Sequence, residues 1–262
     1  MLQSPRFVSI LALLTALSVG STAQGALLVI DDFELPGPAM VTLMTPADAP
    51  TVAQQNAPGV IGGQRDIRMA VDAGVGGASV FVVGNDLGKG YLDANTVAQR
   101  TASIHLQYDG IDVETGPNLT DSLGLFVDLT DGGKNNELLI RFANSQVPGN
   151  GLLNLYVEVV SSGGVSTYSG TKANNLLGGG GVPLMEDHFI SLADFTGGAD
   201  FTQVQSLTFK FNDDGNGVGS VGADFEVDMI ATVPEPGSAL LLGLGAMGWL
   251  GYCRRKRNRS AG

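Results

Sequence analysis

The chain has 262 residues, a net charge of −12, 38 glycines and one cysteine, Cys253. Residues 26–233 are more acidic still, because 25 Asp and Glu against eight Lys and Arg give this region a net charge of −17. A surface of this sign repels phosphate, which excludes DNA and RNA as partners, and a lone cysteine excludes an intramolecular disulfide or a cysteine metal site.

The N-terminus has the three parts of a secretory signal peptide. Arg6 supplies the positive region, residues 7–19 form the apolar region, and Ala23 and Gly25 are the small residues of a cleavage site. The apolar region is shorter than the roughly 20 residues that a membrane span needs. We therefore expect residues 1–25 to be a signal peptide that is cleaved near Gly25.

Residues 26–232 contain many short segments in which apolar and polar residues alternate, the pattern of a half-buried strand. These segments are "IRMAVD", "ASVFVV", "TASIHLQYD", "SLGLFVDL", "ELLIRFA", "LLNLYVEVV", "HFISL", "SLTFKFN" and "ADFEVDMIA". Turn signals such as "DGGKNN" separate them, and we expect "NDDGNG", residues 212–217, to be a hairpin turn between the last two. With helical periodicity nearly absent, the pattern predicts one all-β domain, an antiparallel β-sandwich or jelly roll.

The segments "IDDFE", "GGQRDIRM", "YDGID" and "FEVDMIA" resemble the jelly-roll domains of galactose-binding-like type found in extracellular bacterial proteins. The resemblance spans nearly the whole domain and implies that the domain binds glycan. It also implies a structural calcium ion that joins the first and last strands. That ion would recruit Asp31, Asp32 or Glu34 together with Asp228.

Few other side chains are candidates for chemistry. Tyr91 and Tyr168 lie near Gly-rich turns, where we expect the rim of a glycan-binding site. His105 and His188 are the only histidines; neither accompanies a G-x-S-x-G motif or a metal-ligand spacing, so we expect solvated surface residues. A pair of catalytic carboxylates stays open, because the separation of about 5 to 10 Å that glycoside hydrolysis needs is a tertiary property.

The C-terminal segment, residues 233–259, has three parts in a fixed order. Pro234, Glu235 and Pro236 come first, and the two prolines lack the N–H donors that a strand or helix interior needs. Residues 237–252 are uncharged and mostly apolar, and we expect a transmembrane helix there, about 24 Å long at roughly 1.5 Å per residue. A basic cluster follows, which should stay in the cytoplasm and place the domain across the membrane: Arg254, Arg255, Lys256, Arg257 and Arg259.

This order resembles the PEP-CTERM sorting signal of Gram-negative bacteria, which is recognised by transpeptidase-like membrane enzymes called exosortases. The resemblance implies an inner-membrane intermediate, processing near Pro234, Glu235 and Pro236, and delivery to the cell surface or extracellular matrix. We expect a non-enzymatic envelope or matrix protein without a cofactor apart from the structural calcium. Two alternatives stay open, a carbohydrate-binding module that contacts exopolysaccharide and a glycan-active enzyme.

Overall fold

The computed structural model describes residues 25–34, 40–74, 78–86, 89–114, 116, 118–120, 122–174 and 185–234. Within these residues the protein is a sandwich of two antiparallel β-sheets, so the all-β prediction is confirmed. None of the helices there has the length and apolar character to cross a membrane. Residues 1–24 of the predicted signal peptide and the predicted membrane helix at 237–252 lie outside the described part of the chain.

The strands of the described part are, in chain order, β1 (Leu28–Asp31), β2 (Met40–Met44), β3 (Thr51–Asn56), β4 (Gln64–Gly74), β5 (Ser79–Asp86), β6 (Lys89–Asn95), β7 (Arg100–Tyr108), β8 (Glu137–Gln146), β9 (Leu152–Ser161), β10 (Gly164–Ala173), β11 (Glu186–Ser191), β12 (Thr196–Gly197), β13 (Val204–Phe211) and β14 (Asp224–Val233). Short 3-10 turns lie at Ile61–Gly63, Pro148–Asn150 and Leu192–Asp194. The architecture is therefore built almost entirely from strands.

The first sheet has the strand order β11-β8-β14-β6-β5-β2, and β1 pairs with the C-terminal half of β14. The second sheet has the order β12-β10-β9-β13-β7-β4-β3. Since β13 and β14 lie in different sheets, the segment between them crosses the sandwich. The hairpin predicted at residues 212–217 is therefore wrong, because the local turn residues specify a reversal but not which sheet the next strand joins.

The core lies between the inward faces of the two sheets. Exposure alternates strictly along β9, and its inward residues Leu153, Leu155 and Val157 are buried. Aromatic rings link the two layers, because Phe211 of β13 stacks on Phe225 of β14 with ring centroids 5.8 Å apart. Burial of one face per strand is what the period of two in the sequence encodes.

One predicted strand, "SLGLFVDL", is an irregular segment in which only an isolated bridge joins Val127 to Val204. Leu123 and Phe126 adopt positive φ angles of 58° and 50°, which an extended strand does not allow. Conversely, β10 is a regular strand although its sequence, "GVSTYSGTKA", lacks apolar alternation. The alternation pattern therefore misplaced one strand and missed several others, among them β2, β3, β6 and β10.

A buried ion pair joins the two sheets. Asp31 in β1 accepts hydrogen bonds from Nε and Nη2 of Arg65 in β4, at 2.5 and 2.6 Å. It also accepts from the hydroxyl of Tyr108 in β7, at 2.7 Å, and from the backbone N–H of Phe33, at 2.8 Å. Asp31, Arg65 and Tyr108 are all fully buried. The four donors satisfy both carboxylate oxygens and tie β1 of the first sheet to β4 and β7 of the second.

Candidate functional site

A polar cleft of about 310 Å³ lies on the outer face of the second sheet. Its strand residues alternate with core residues, so the same pleat that buries the inner face presents them outward. Asn118 and Leu119, from the segment that follows β7, also line it. The other lining residues are Arg68, Asp72, His105, Gln107, Glu158, Thr208, Lys210, Asp213 and Gly217.

His105 and Asp213 form a polar pair in this cleft, with Nε2 of His105 2.9 Å from the Asp213 carboxylate. Asp213 also accepts hydrogen bonds from the backbone N–H groups of Gly215 and Gly217. Burial raises the pKa of Asp213, but the hydrogen bonds from His105 and the two glycines outweigh it and bring the pKa to about 2. Burial lowers the pKa of His105, which the carboxylate offsets only in part, so the imidazole is neutral at pH 7.

The expectation of two solvated surface histidines is wrong for His105, whose side chain is only 12% exposed because Asp213 and the cleft walls cover it. His188 lies in β11 of the first sheet, and its ring packs edge-on against Phe142 at 6.5 Å. The two histidines thus belong to different sheets. The structure does not bring them together as a pair.

Both signs of charge line the cleft. Arg68 and Lys210 are positive, and Asp72, Glu158 and Asp213 are negative. Carboxylate, guanidinium and amide groups side by side offer both acceptors and donors of hydrogen bonds. Such a lining is suited to a ligand that is rich in hydroxyl groups.

A second pocket, of about 290 Å³, lies on the first sheet and brings three predicted site residues together. Tyr91, Glu34 and Asp228 line it, and Glu34 accepts a hydrogen bond from the backbone N–H of Gly90 at 3.1 Å. Burial raises the pKa of Asp228; Arg141 lowers it in part, and Glu34, Asp187 and Asp32 raise it further. Asp32, Glu34 and Asp228 therefore lie within electrostatic range of one another, and calcium there stays a prediction.

Asp31, the fourth predicted calcium ligand, lies away from this pocket in the core. Arg65, Tyr108 and the Phe33 backbone already donate to both of its oxygens. A cation of the protein itself therefore neutralises Asp31. Its neighbour in sequence, Asp32, instead accepts a hydrogen bond from the backbone N–H of Glu34 at 3.1 Å.

Tyr91 and Tyr168 both lie inside strands, and Tyr91 directly follows Gly90 and pairs with Gly84 in the β5–β6 hairpin. Tyr91 belongs to β6, and Tyr168 belongs to β10, where it is paired with the core residue Val157. The ring of Tyr168 packs against Phe195, with centroids 5.8 Å apart. Both strands contain too few apolar residues for an apolar–polar alternation to reveal them in the sequence. Binding of glycan by either tyrosine stays a prediction.

A cluster of three carboxylates, which sequence reasoning missed, lies where β7 ends. Asp66 in β4, Asp109 directly after β7, and Asp112 each place one oxygen within 4.8 Å of the others. Gly110 has a φ of 104°, a conformation that glycine allows at little cost and that turns the chain between the last two. The segment "YDGID" holds both of these acids, and the pairing of β4 with β7 adds Asp66.

Protein groups satisfy only part of this cluster. Gln54 donates from Nε2 to Asp66 and to Asp112, both at 2.9 Å, and the backbone N–H of Ser122 donates to Asp109 at 2.5 Å. The second oxygens, Oδ2 of Asp66 and Oδ1 of Asp109, are buried and receive no N–H or hydroxyl donor among the described residues. Burial raises the pKa of Asp66 to about 7; the hydrogen bond from Gln54 opposes this, and the charges of Asp109 and Asp112 and a hydrogen bond with the Asp109 carboxyl reinforce it.

The last strand leads directly into the Pro-Glu-Pro tripeptide. β14 ends at Val233, which lies opposite Glu137 of β8, and its carbonyl accepts a hydrogen bond from the N–H of Asn136 at 3.2 Å. Pro234 follows at once and has no N–H to donate to a further ladder pair. Glu235, Pro236, the apolar run and the basic cluster lie outside the described part of the chain.

The family described as the PEP-CTERM protein-sorting motif matches residues 232–257. The match begins in the last two residues of β14 and includes the tripeptide, the apolar run and the start of the basic cluster. It confirms the sorting motif, which marks proteins for export through the membrane to the cell surface and implies recognition by an exosortase-like membrane enzyme. No curated protein matches the chain.

Proposed function

We propose that this protein is an exported, non-enzymatic β-sandwich that an exosortase-like enzyme of a Gram-negative bacterium processes at Pro234, Glu235 and Pro236. Its destination is the cell surface or the extracellular matrix. The observation that carries the proposal is the sorting motif at residues 232–257, which follows a complete folded domain without an intervening linker.

The order of the parts supports a defined route. The signal peptide starts translocation, residues 237–252 stop it, and the basic cluster fixes the cytoplasmic side. Only three residues separate Val233 from Gly237, and at roughly 3.5 Å per residue the connection spans about 14 Å at most. The enzyme therefore meets its tripeptide between the membrane and a domain whose last strand is already hydrogen-bonded.

A tag fused after Gly262 tests this proposal in a host that encodes an exosortase. The wild type should lose the tag and reach the surface, whereas Glu235→Gln should insert normally and keep it. Glu186→Gln is the matched control, because Glu186 is an exposed residue of β11, and it should be processed like the wild type. A tag that stays on surface-exposed wild-type protein would show that the tail is a permanent anchor.

The polar cleft favours a second candidate function, binding of exopolysaccharide. Its mixed lining, with Arg68 of β4 and Glu158 of β9 separated by β13 and β7, offers donors and acceptors across the width of the cleft and supports hydrogen bonds to hydroxyl groups. A glycan array with the full-length chain in detergent tests it. Arg68→Ala should remove saturable binding, and Lys134→Ala, which removes an exposed positive charge outside the cleft, should not. Turnover of a polysaccharide in the same assay would instead indicate a glycan-active enzyme.

A further inference from the structure

We propose that Asp66, Asp109 and Asp112 together bind one divalent cation of the oxygen-preferring class, and that Ca²⁺ fits best. Asp66 belongs to β4, Asp109 and Asp112 belong to the turn that follows the adjacent strand β7, and one oxygen of each lies within 4.8 Å of the other two. Carboxylate oxygens at this mutual distance can contact one ion at the 2.3–2.6 Å that calcium ligands adopt. This inference is independent of the sorting function.

The orphaned oxygens of the cluster point to a ligand. Gln54 and Ser122 satisfy one oxygen each of Asp66 and Asp109. The other oxygen of each is buried and receives no N–H or hydroxyl donor in the described part of the chain, and the two carboxyl groups lie within hydrogen-bond reach of each other. Buried polar atoms in native proteins nearly always have a partner, so two orphans side by side indicate a group that completes the site.

Electrostatics supports a cation at this position. The charges that act most strongly on Asp66 are those of Asp109 and Asp112, which are of the same sign. The buried carboxylate of Asp31, by contrast, pairs with the guanidinium of Arg65. A divalent ion would supply the cluster with the positive charge that Asp31 obtains from Arg65.

The donors around the cluster select a hard cation. All three ligands are carboxylates, and Gln54 lies between two of them. Turning the Gln54 amide by 180° would exchange Nε2 for Oε1 and add a neutral oxygen ligand. Asp112 is half-exposed, which gives water access to the remaining positions. Calcium accepts six to eight oxygens in such irregular shells, whereas Mg²⁺ requires a near-ideal octahedron.

A bound ion would also shape the polar cleft. It would fix Asp109 and Asp112, at the start of the segment after β7, to Asp66 on the neighbouring strand. Asn118 and Leu119 of the same segment line the cleft. The ion would thus order one wall of the surface on which the second candidate function depends.

Calorimetric titration of the chelator-treated full-length chain with CaCl₂ tests the site. We expect saturable binding that weakens at least tenfold in Asp112→Asn, which keeps the size of a half-exposed side chain. Asp131→Asn is the matched control, because Asp131 is a partly exposed carboxylate outside this cluster and outside the pocket that contains Asp228, and it should bind as the wild type does. Absence of binding by the wild type, or binding that Asp112→Asn leaves unchanged, would each overturn the proposal.

Proteolysis gives a second readout that does not depend on heat of binding. A glutamyl endopeptidase can cut after Glu114, within the segment that the ion would fix. We expect Ca²⁺ to slow this cut at least tenfold in the wild type and to have no effect in Asp112→Asn. Equal melting curves of the two proteins in chelator would show that the variant folds. A cut whose rate in the wild type is the same with and without Ca²⁺ would contradict the proposal.

Discussion

Replacing Asp31 with Asn tests how the two sheets are held together. The side chain keeps its size, but the carboxylate that accepts both Arg65 N–H groups, at 2.5 and 2.6 Å, becomes a neutral amide. Arg65 is fully buried and would keep its positive charge without a counterion. Removing one partner of a buried ion pair costs about 3–5 kcal/mol, so Asp31→Asn should lower the free energy of unfolding by that amount.

Urea unfolding followed by far-ultraviolet circular dichroism measures this loss, and in thermal melts Tm should fall by about 6–20 °C at roughly 2–4 °C per kcal/mol. Tyr108→Phe is the control, because it removes one hydrogen bond to Asp31 and leaves the ion pair. It should lower the free energy of unfolding by only about 1–2 kcal/mol. The double variant Asp31→Leu with Arg65→Met should recover most of the loss, since no charge then stays buried. A cost below about 1 kcal/mol for Asp31→Asn would refute a stabilising role for this pair.

Three further changes probe the two sheets. Burial and two neighbouring carboxylates raise the pKa of Asp93 to about 7. The folded state therefore binds this proton more tightly than the unfolded chain does, so the free energy of unfolding should fall between about pH 4 and 7. Asp93→Asn should reduce that fall in urea titrations by a few kcal/mol, at about 1.4 kcal/mol per pKa unit. The pKa of Asp213 is lowered to about 2, so its contribution to stability is complete above about pH 4 and is lost as the pH falls through 2. Thermal melts of Asp213→Asn should lack this loss of stability in acid. An unchanged loss would assign it to other groups. A Cβ on Gly90 would lie 2.6 Å from the carbonyl carbon of Phe33. Gly90→Ala should therefore displace the backbone at Phe33 and lower the free energy of unfolding in urea by about 1–3 kcal/mol. An unchanged free energy would show that the backbone at Phe33 moves without cost.

The strands that sequence reasoning identified are those with one apolar face. In β9 the alternation of apolar and polar residues follows directly from burial of one side of a sheet, and in β7 the same alternation is present although polar residues of the other face are buried as well. β10 escaped detection because Val165 and Tyr168 are its only large apolar residues. The order in which the strands pair could not be predicted from the sequence either, because nothing local to β13 or β14 specifies that the two strands belong to different sheets.

The sorting motif could be identified in full because it is linear, so its order along the chain is the signal itself.

The acidic sites, by contrast, are formed by residues that only the tertiary structure brings together. Asp31 was grouped with Asp32 because the two are adjacent in sequence, whereas packing of the two sheets places Asp31 beside Arg65, 34 residues away. The close spacing of Asp109 and Asp112 in "YDGID" was visible, but Asp66 joins them only through the register of β4 against β7.

Mass-spectrometric identification of both chain ends, in protein collected from the surface of an exosortase-encoding Gram-negative host, tests the sorting claim most directly. We expect a mature chain that begins near Ala26 and ends at or beside residues 234–236, with the apolar run and the basic cluster removed. The same protein from a host without an exosortase should keep Gly262 and stay in the inner membrane. Surface protein that still ends at Gly262 in the first host would contradict processing by an exosortase.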